Sequence, residues 1–287
     1  MSELPPAARW LPAGTFEDEV AVVTGGGTGL GLEIARGLAA LGARVVIVSR
    51  DPTHHRALLE EGARRGWRVE ARVLDVREPA DVRAAAESIL AAHGRVDVLV
   101  NNAAGNFVCP AERLSANAWR AVLGIVLDGT FYCSQAFGKA MIAARAGRIL
   151  NVVATYAWTG MPGVVHSASA KAGVLALTRT LAVEWARHGI RVNAIAPGPF
   201  ESQGASSNLW PEPAVADAIR ARIPLARFAT ADEVAAQCLH LLSPASAYVT
   251  GECLVVDGGA SLGAPMWEPG ARFSRRRERA ADGGPAS

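Results

Sequence analysis

Short apolar runs alternate with longer segments of helical periodicity from residue 20 onward. Seven runs of four to six residues, rich in Val, Ile and Leu, have the length of buried strands: residues 20–24, 44–49, 69–74, 96–101, 148–153, 191–196 and 253–256. The clearest helical segments between them are residues 30–41, 81–93, 116–144 and 168–187. This alternation predicts an α/β fold with a doubly wound parallel sheet of about seven strands and right-handed crossovers.

The alternation breaks once, between Phe200 and Pro224, where Gly, Ser and Pro precede a short helical segment. A long connection of this kind predicts a mobile lid over residues 200–224. The 287 residues, half of them hydrophobic, suit one large domain. We therefore expect a single domain over residues 1–271, followed by a disordered tail at residues 272–287, which is charged and rich in Gly, Ala and Pro.

Charge and composition argue against several classes of protein. A net charge of +2 gives no electrostatic reason to expect a nucleic-acid or membrane partner. No apolar run reaches membrane-spanning length, the first 14 residues lack a signal-peptide core, and the final Gly-Pro-Ala-Ser is no retention or peroxisomal address. The four cysteines lack metal-ligand spacing, so we expect buried thiols and no metal site. A cytoplasmic protein fits these features best.

A glycine-rich loop follows the first predicted strand and opens the first predicted helix. It reads Gly25, Gly26, Gly27, Thr28, Gly29, Leu30 and Gly31. Glycines allow the backbone to approach a pyrophosphate, whose charge is stabilised by free N–H groups at the helix N-terminus. Many such turns only let a helix pack on a strand, but this strand–loop–helix context favours dinucleotide binding.

The end of the second strand discriminates between nicotinamide cofactors. An acidic residue there would accept hydrogen bonds from a ribose 2′-hydroxyl, whereas this chain has Ser49 and Arg50. An Arg suits a 2′-phosphate, so the sequence favours NADPH over NADH. A solvated Arg50 is the simpler alternative, and the neighbouring Asp51 counts against NADPH.

Two runs, Thr24 to Gly31 and Asn101 to Gly105, resemble the short-chain dehydrogenase/reductase family. Further segments resemble its NADPH-dependent 2,4-dienoyl-CoA reductase branch: residues 11–16, 101–107, 112–115, 117–119, 155–157, 167–173, 182–185 and 197–199. The similarity extends from about Leu11 to Leu262. It implies a Rossmann-type fold, a homotetramer and an acyl-CoA substrate.

The catalytic set common in this family is altered. Its usual Asn, Ser and Tyr fall on Val126, Ala154 and Ser167, and only Lys171 survives. A serine hydroxyl is far too weak an acid to replace a phenol. All but two of the 29 basic residues are Arg, so a Lys at the motif position suggests a task that suits an ammonium.

The resemblance implies a replacement for the missing acid. In the dienoyl-CoA reductase branch, the working phenol lies just beyond the fifth strand, at the position of Tyr156. Ser167 lies one helical turn before Lys171, so both side chains share a face, and we expect Ser167 to support the site or contact substrate. Asn106 matches an active-site Asn that holds the thioester oxygen or the phenol; stabilising a turn is its alternative role.

The resemblance also implies the binding residues. Beyond the loop and Arg50, the cofactor is expected to contact Asp75, Val76, Asn102, Ala103, Gly105, Lys171, Pro197, Gly198 and Phe200. Substrate contacts are expected at Arg77, Phe107, Ser115 and Asn208. Asn208 stands where the branch has a basic CoA contact, which weakens the case for CoA as carrier.

These features predict NADPH-dependent reduction of 2,4-dienoyl-CoA to 3-enoyl-CoA in the β-oxidation of unsaturated fatty acids. A trans-2-enoyl-CoA reductase or a ketone reductase of the same superfamily is a second hypothesis, and the replacements Ala154 and Ser167 count against the ketone version. A cofactor-binding protein without catalytic activity is a third hypothesis, against which the retained Lys171 and Tyr156 count.

Overall fold

The computed structural model describes residues 4–201 and 212–262. In these residues seven strands form one sheet in the order β3-β2-β1-β4-β5-β6-β7, with every pair parallel. The strands are β1 (Val20–Thr24), β2 (Arg44–Ser49), β3 (Val69–Val73), β4 (Val98–Asn101), β5 (Gly147–Val152), β6 (Ile190–Pro197) and β7 (Cys253–Val256). The predicted doubly wound sheet is confirmed, with strand bounds that differ from the expected ones by at most two residues.

Helices cover both faces of the sheet, which explains why its strands are apolar throughout. In β1, Ala21 and Val23 pack in one core cluster, while Val20 and Val22 pack in the cluster on the opposite face. All five residues of β1 are buried. The sheet is therefore the middle layer of three.

The helices lie between the strands in chain order. They are α1 (Gly29–Ala40), α2 (Arg56–Arg65), α3 (Pro79–His93), α4 (Ala116–Leu123), α5 (Gly129–Ala144), α6 (Tyr156–Thr159), α7 (Val165–Trp185), α8 (Pro213–Arg220) and α9 (Ala231–Leu242). Helices α1 and α9 contribute to one core cluster, and α3 and α5 contribute to the other.

The single helix predicted over residues 116–144 is wrong in detail. A π-helical turn, Gly124–Asp128, separates α4 from α5. Next to this turn, the Thr130 hydroxyl donates to the Val126 carbonyl oxygen at 2.7 Å. Apolar periodicity does not reveal such a turn, and π turns occur often at functional sites.

The interruption after β6 contains α8, in accord with the predicted short helix. Much of the predicted lid, residues 202–211, lies outside the described residues, as does the predicted tail at residues 272–287. Among the described helices, none is both long enough and apolar enough to cross a membrane.

Candidate active site

The glycine-rich loop connects the carboxyl end of β1 to α1, and its shape requires glycine at two positions. Gly25 has a φ of +62°, which side-chain-bearing residues rarely adopt. A Cβ on Gly31 would lie 2.3 Å from the Gly25 carbonyl oxygen, so no side chain fits there. The loop therefore forms a tight cradle at a helix N-terminus, which fits the pyrophosphate of a dinucleotide.

A cleft of about 260 Å³ opens beside this loop, at the carboxyl ends of the strands. It lies where the strand order reverses between β1 and β4, the usual ligand position in doubly wound sheets. Seven predicted cofactor residues line it: Gly25, Thr28, Arg50, Asp75, Val76, Asn102 and Ala103. The fold thus brings together residues that are up to 78 positions apart in sequence.

Arg50 and Asp51 lie side by side at the edge of the cleft, but only the Asp51 side chain is engaged. Its carboxylate caps the turn Pro52–His55, accepting from the Thr53 N–H at 2.9 Å and the Thr53 hydroxyl at 2.7 Å. These bonds from Thr53 lower the pKa of Asp51. Within the described part of the chain, Arg50 has no salt-bridge partner, so its guanidinium remains available to an anion.

Asp75, a predicted cofactor contact, is hydrogen-bonded to Arg77, a predicted substrate contact. The Arg77 Nε donates to both carboxylate oxygens of Asp75, at 2.9 and 3.0 Å. This hydrogen bond is the main reason that the pKa of Asp75 lies below its usual value. Arg77 can turn to a CoA group only by loosening this pair.

Asn102 and Thr24 fasten the loop after β4 to the glycine-rich loop. The Thr24 hydroxyl accepts from the backbone N–H groups of Asn102 and Ala103, both at 2.9 Å. The Asn102 side chain donates to the Thr24 and Gly25 carbonyl oxygens at 3.1 and 3.2 Å. These bonds fix one wall of the cleft.

The remaining predicted cofactor residues lie along the same sheet edge. Pro197 ends β6, and the Gly198 N–H donates to the Val256 carbonyl oxygen at 2.9 Å. Phe200 forms an isolated bridge with Ala229. Gly105 lies in the loop after β4, where a Cβ would meet only the Ile125 side chain, at 4.0 Å.

Tyr156 and Ser167 meet at the centre of the catalytic region. Tyr156 begins α6, Ser167 lies in the first turn of α7, and their hydroxyl oxygens are 3.0 Å apart. Burial raises the pKa of the Tyr156 phenol, and the hydrogen bond with Ser167 offsets part of that rise. The phenol therefore stays protonated at neutral pH, and when Ser167 donates to its oxygen, the phenol proton is free for another acceptor.

Lys171 lies one turn further along α7, on the face that carries Ser167, as predicted. It is 6% exposed, and its Nζ donates to the Val152 carbonyl oxygen at the end of β5. Burial lowers the pKa of Lys171 to about 8. Its charge is therefore retained at neutral pH and is sensitive to mildly alkaline conditions.

The other two positions of the common catalytic set offer no side-chain donor or acceptor. Val126, in the π turn, is 1% exposed and packs in an apolar cluster with Val153 and Val174. Ala154 lies in the short connection between β5 and α6. The site therefore holds one phenol, one serine hydroxyl and one ammonium, without the Asn and Ser of the common arrangement.

Asn106 and Phe107 occupy the loop that faces α7. The Asn106 side-chain oxygen accepts from the Phe107 N–H at 2.9 Å, which is the turn-stabilising geometry. Among the described residues, no hydrogen bond joins Asn106 to Tyr156. The catalytic role of Asn106 stays a prediction.

His166 is a feature that sequence reasoning missed. Its ring is fully buried and lies 4.4 Å from the Phe107 ring, centroid to centroid. Neither ring nitrogen has a hydrogen-bond partner in the described part of the chain, and burial lowers its pKa, which favours a neutral imidazole. The only sequence signal was its position directly before Ser167.

The two remaining predicted substrate contacts are Ser115 and Asn208. Ser115 is the N-cap of α4, and its hydroxyl accepts from the Ala118 N–H at 3.2 Å. A capping Ser needs no ligand to account for it. Asn208 lies outside the described residues.

Comparison with known proteins agrees with this architecture. A family described as Enoyl-(Acyl carrier protein) reductase matches residues 25–261. A probable 2,4-dienoyl-CoA reductase from Bacillus subtilis, described as (2E)-enoyl-CoA-producing, is 46% identical over 86% of this chain and 98% of the relative. A peroxisomal 2,4-dienoyl-CoA reductase from Danio rerio, described as (3E)-enoyl-CoA-producing, is 42% identical over 86% of this chain and 83% of the relative.

Other relatives have different names. D-threitol dehydrogenase from Mycolicibacterium smegmatis is 38% identical over 86% of this chain and 94% of the relative. Among solved structures, a short chain dehydrogenase from Bacillus anthracis is 45% identical with a TM-score of 0.77, covering 89% of this chain and 100% of that one. A gluconate 5-dehydrogenase from Burkholderia cenocepacia, in complex with NADP and tartrate, is 34% identical with a TM-score of 0.82, covering 91% and 100%.

The resemblance to the 2,4-dienoyl-CoA reductase branch is thus confirmed by identities above 40% over most of the chain. The parallel sheet, the glycine cradle and the family match from residue 25 to residue 261 agree with it. The chain belongs to the short-chain dehydrogenase/reductase family and is an oxidoreductase that binds a nicotinamide cofactor.

Proposed function

We propose that this enzyme uses NADPH to reduce 2,4-dienoyl-CoA to 3-enoyl-CoA in unsaturated fatty-acid β-oxidation. The observation that carries the proposal is the 3.0 Å contact between Tyr156 and Ser167. It puts a protonated phenol beside the position that the common catalytic Tyr would occupy. The relatives named 2,4-dienoyl-CoA reductase support the same substrate class.

The chemistry differs from ketone reduction in where charge develops. A bound nicotinamide supplies a hydride, which a conjugated dienoyl thioester accepts at its δ-carbon, leaving negative charge on the distant thioester oxygen. Tyr156 stabilises that oxygen by donating its phenol proton in a hydrogen bond. Ser167 donates to the phenol oxygen and orients it, and the buried ammonium of Lys171 keeps the local potential positive.

The regiochemistry follows from where the second hydrogen arrives. Protonation of the α-carbon by a solvent water, while Tyr156 holds the adjacent thioester oxygen, leaves the double bond between carbons 3 and 4. Protonation at the γ-carbon would give a 2-enoyl-CoA, and the names of the relatives include both products. We propose the 3-enoyl product because, among the described residues of the site, Tyr156 supplies the one phenol, and its assignment to the thioester oxygen leaves no phenol to protonate the distant γ-carbon.

The preference for NADPH rests on the contrast between Arg50 and Asp51. Asp51 stays anionic, and its carboxylate caps the turn Pro52–His55 by accepting two hydrogen bonds from Thr53. Arg50 has no salt-bridge partner among the described residues and lines the same cleft as Asp75 and Asn102. This arrangement supports a charge-assisted contact to the 2′-phosphate.

The assembly and the cellular location stay predictions. The homotetramer implied by the resemblance is checked by light scattering of the purified protein. The cytoplasmic location is checked by fractionation.

The decisive experiment follows NADPH oxidation with purified enzyme and 2,4-hexadienoyl-, 2,4-decadienoyl-, 2-enoyl- and acetoacetyl-CoA, and with D-threitol and NADP⁺ in the reverse direction. We expect turnover with the two dienoyl thioesters and a product whose remaining double bond, by NMR, lies between carbons 3 and 4. Turnover with acetoacetyl-CoA or D-threitol alone would replace the proposal with a carbonyl or alcohol activity. Absence of turnover with every substrate, despite NADPH binding, would support an inactive cofactor-binding protein.

A further inference from the structure

Four large apolar side chains are exposed on two segments beside the candidate catalytic residues: the loop after β4 and residues 158–165. Val108, Trp158, Met161 and Val165 are 55%, 45%, 45% and 38% exposed. We call them the uncharged rim. Trp158 belongs to the same short helix, α6, as Tyr156, and Val165 begins α7, which carries Ser167. The rim is therefore continuous with the catalytic site.

The two segments of the rim are hydrogen-bonded to each other. The Cys109 N–H donates to the Gly163 carbonyl oxygen at 2.8 Å, and the Val108 side chain packs against Gly163. The loop after β4 and the loop before α7 therefore form one surface rather than two independent ones. Four exposed apolar side chains that share one surface next to a candidate catalytic group are typical of a binding surface for an apolar chain.

The distribution of charged residues indicates which end of an acyl-CoA the rim would bind. Residues 103–111 and 154–165 contain no Asp, Glu, Lys or Arg, although these types make up 20% of the chain. Arg77, the charged residue that the resemblance assigns to the CoA group, lies outside the rim and pairs with Asp75. An acyl-CoA has a matching polarity, with anionic phosphates at one end and a hydrocarbon tail at the other.

We propose that the uncharged rim binds the hydrocarbon tail of the substrate beyond its reacting carbons, and that the enzyme is selective for dienoyl thioesters of ten or more carbons. This rests on the proposed function. A six-carbon dienoyl group ends one carbon beyond the δ-carbon, so it has almost no tail to reach the rim. A ten-carbon group has four further carbons.

The size of the effect follows from burial of those carbons. Four fully buried methylenes would favour the longer substrate by roughly two hundredfold. The rim is open and half exposed, so we expect about a tenfold higher kcat/KM for 2,4-decadienoyl-CoA than for 2,4-hexadienoyl-CoA. The difference should lie in KM, because the tail makes the same contacts in the ground state and in the transition state.

Trp158→Ser tests the rim directly. We expect it to reduce the decadienoyl-to-hexadienoyl ratio to about threefold or less, while kcat with 2,4-hexadienoyl-CoA stays within about twofold of the unmutated enzyme. Trp10→Ser is the matched control, because Trp10 is 81% exposed and lies outside the rim. It should leave the ratio unchanged.

A binding measurement separates this proposal from the proposed function. We would measure, in the presence of NADP⁺, the dissociation constants of hexanoyl-CoA and decanoyl-CoA, which cannot be reduced. About tenfold tighter binding of decanoyl-CoA that Trp158→Ser abolishes supports the rim even if no dienoyl thioester is turned over, and in that case only the proposed function fails. Equal binding of the two thioesters overturns the rim proposal.

Two further outcomes would also overturn the rim proposal. One is an equal loss of activity on both dienoyl substrates in Trp158→Ser, which would assign Trp158 a structural role. The other is a change of oligomeric mass in Trp158→Ser, seen by sedimentation, which would make the rim a contact between copies of the chain.

Discussion

The cofactor end and the catalytic end of this site differ in how their side chains are held. At the cofactor end, packing fixes the backbone, and Asp51, Asp75 and Arg77 are bound to neighbouring groups. At the catalytic end, one hydrogen bond joins Tyr156 to Ser167, and Lys171 is buried without an ionic partner in the described residues. The side chains at the cofactor end are therefore held by more contacts than those at the catalytic end.

Removing the phenol is the strongest test of that contrast. Tyr156→Phe keeps the ring and its packing, so we expect the dienoyl-CoA rate to fall by roughly 10² to 10⁴ while the NADPH dissociation constant changes by about twofold or less. Steady-state kinetics and a fluorescence titration with NADPH measure the two quantities. Tyr248→Phe is the matched control, because Tyr248 is fully exposed.

A Tyr156→Phe enzyme with near-normal turnover would show that the phenol is structural. The acid would then have to be sought elsewhere on α7 or in the loop that carries Asn106. Loss of NADPH binding together with turnover would instead show that the two ends of the site are not separable.

Lys171 is predicted to contact the cofactor and to act in catalysis, so its replacement should affect both ends of the site. Lys171→Ala should weaken NADPH binding and lower kcat, each by roughly 10 to 10², the value of one charge-assisted hydrogen bond. Lys171→Arg should restore activity only in part, because a planar guanidinium does not replace a compact ammonium. Unchanged kinetics in Lys171→Ala would mean that its match to the motif is accidental.

The pH profile gives an independent readout of the same residue. On the proposed role of Lys171 we expect the protonated ammonium to be the active form, and burial lowers its pKa to about 8. Activity is therefore retained below pH 8 and lost as the pH rises through 8, so kcat/KM for NADPH should fall about tenfold per pH unit above it. The phenol of Tyr156, whose pKa is raised, stays protonated over this range. In Lys171→Arg the alkaline loss should disappear, since a guanidinium keeps its charge.

Arg50 tests the cofactor end alone. Arg50→Ala should narrow the preference for NADPH over NADH by about tenfold or more, because one charge-assisted contact is lost. Turnover with saturating NADPH should change little, in contrast to Tyr156→Phe. Arg83→Ala, an exposed Arg of α3 outside the cleft, is the control. Equal affinities for NADPH and NADH in the unmutated enzyme would contradict the assignment.

The features that could be predicted from the sequence are those determined by residues close together in the chain. The strands follow from apolar periodicity, and the glycine cradle follows from the backbone conformation that its own residues allow. The cap that Asp51 forms for the turn Pro52–His55 was not among the expectations drawn from the sequence. The π turn was not predicted, because apolar periodicity does not distinguish it from the α-helices on either side.

The contact between Tyr156 and Ser167 depends on how α6 packs on α7, which periodicity does not encode. Resemblance to relatives supplied Tyr156, and the residues alone would not have done so. The uncharged rim could not be predicted either, because in a sequence an apolar stretch without charges is typical of a buried core. Only the fold shows that Trp158 and Met161 are exposed.

Replacing Ser167 should have the smallest effect on the rate. It also allows the most direct comparison with family members that have Tyr at this position. Ser167→Ala removes one hydrogen bond to Tyr156, worth ~0.5–1.5 kcal/mol, so the dienoyl-CoA rate should fall by about tenfold at most. Steady-state kinetics beside Tyr156→Phe gives the ranking directly. A nearly silent Tyr156→Phe with an inactive Ser167→Ala would reverse the assigned roles while leaving the fold and the cofactor cleft unaffected.

Ser167→Tyr restores the common spacing of Tyr and Lys on α7, yet it should not produce an efficient ketone reductase. Val126 and Ala154 still offer no polar side chain where a carbonyl site uses Asn and Ser. The new ring must also enter a position that is 1% exposed, next to the phenol of Tyr156. Strong turnover of acetoacetyl-CoA by Ser167→Tyr would therefore show that the Tyr–Lys pair alone is sufficient, and that the replacements at residues 126 and 154 do not determine the reaction.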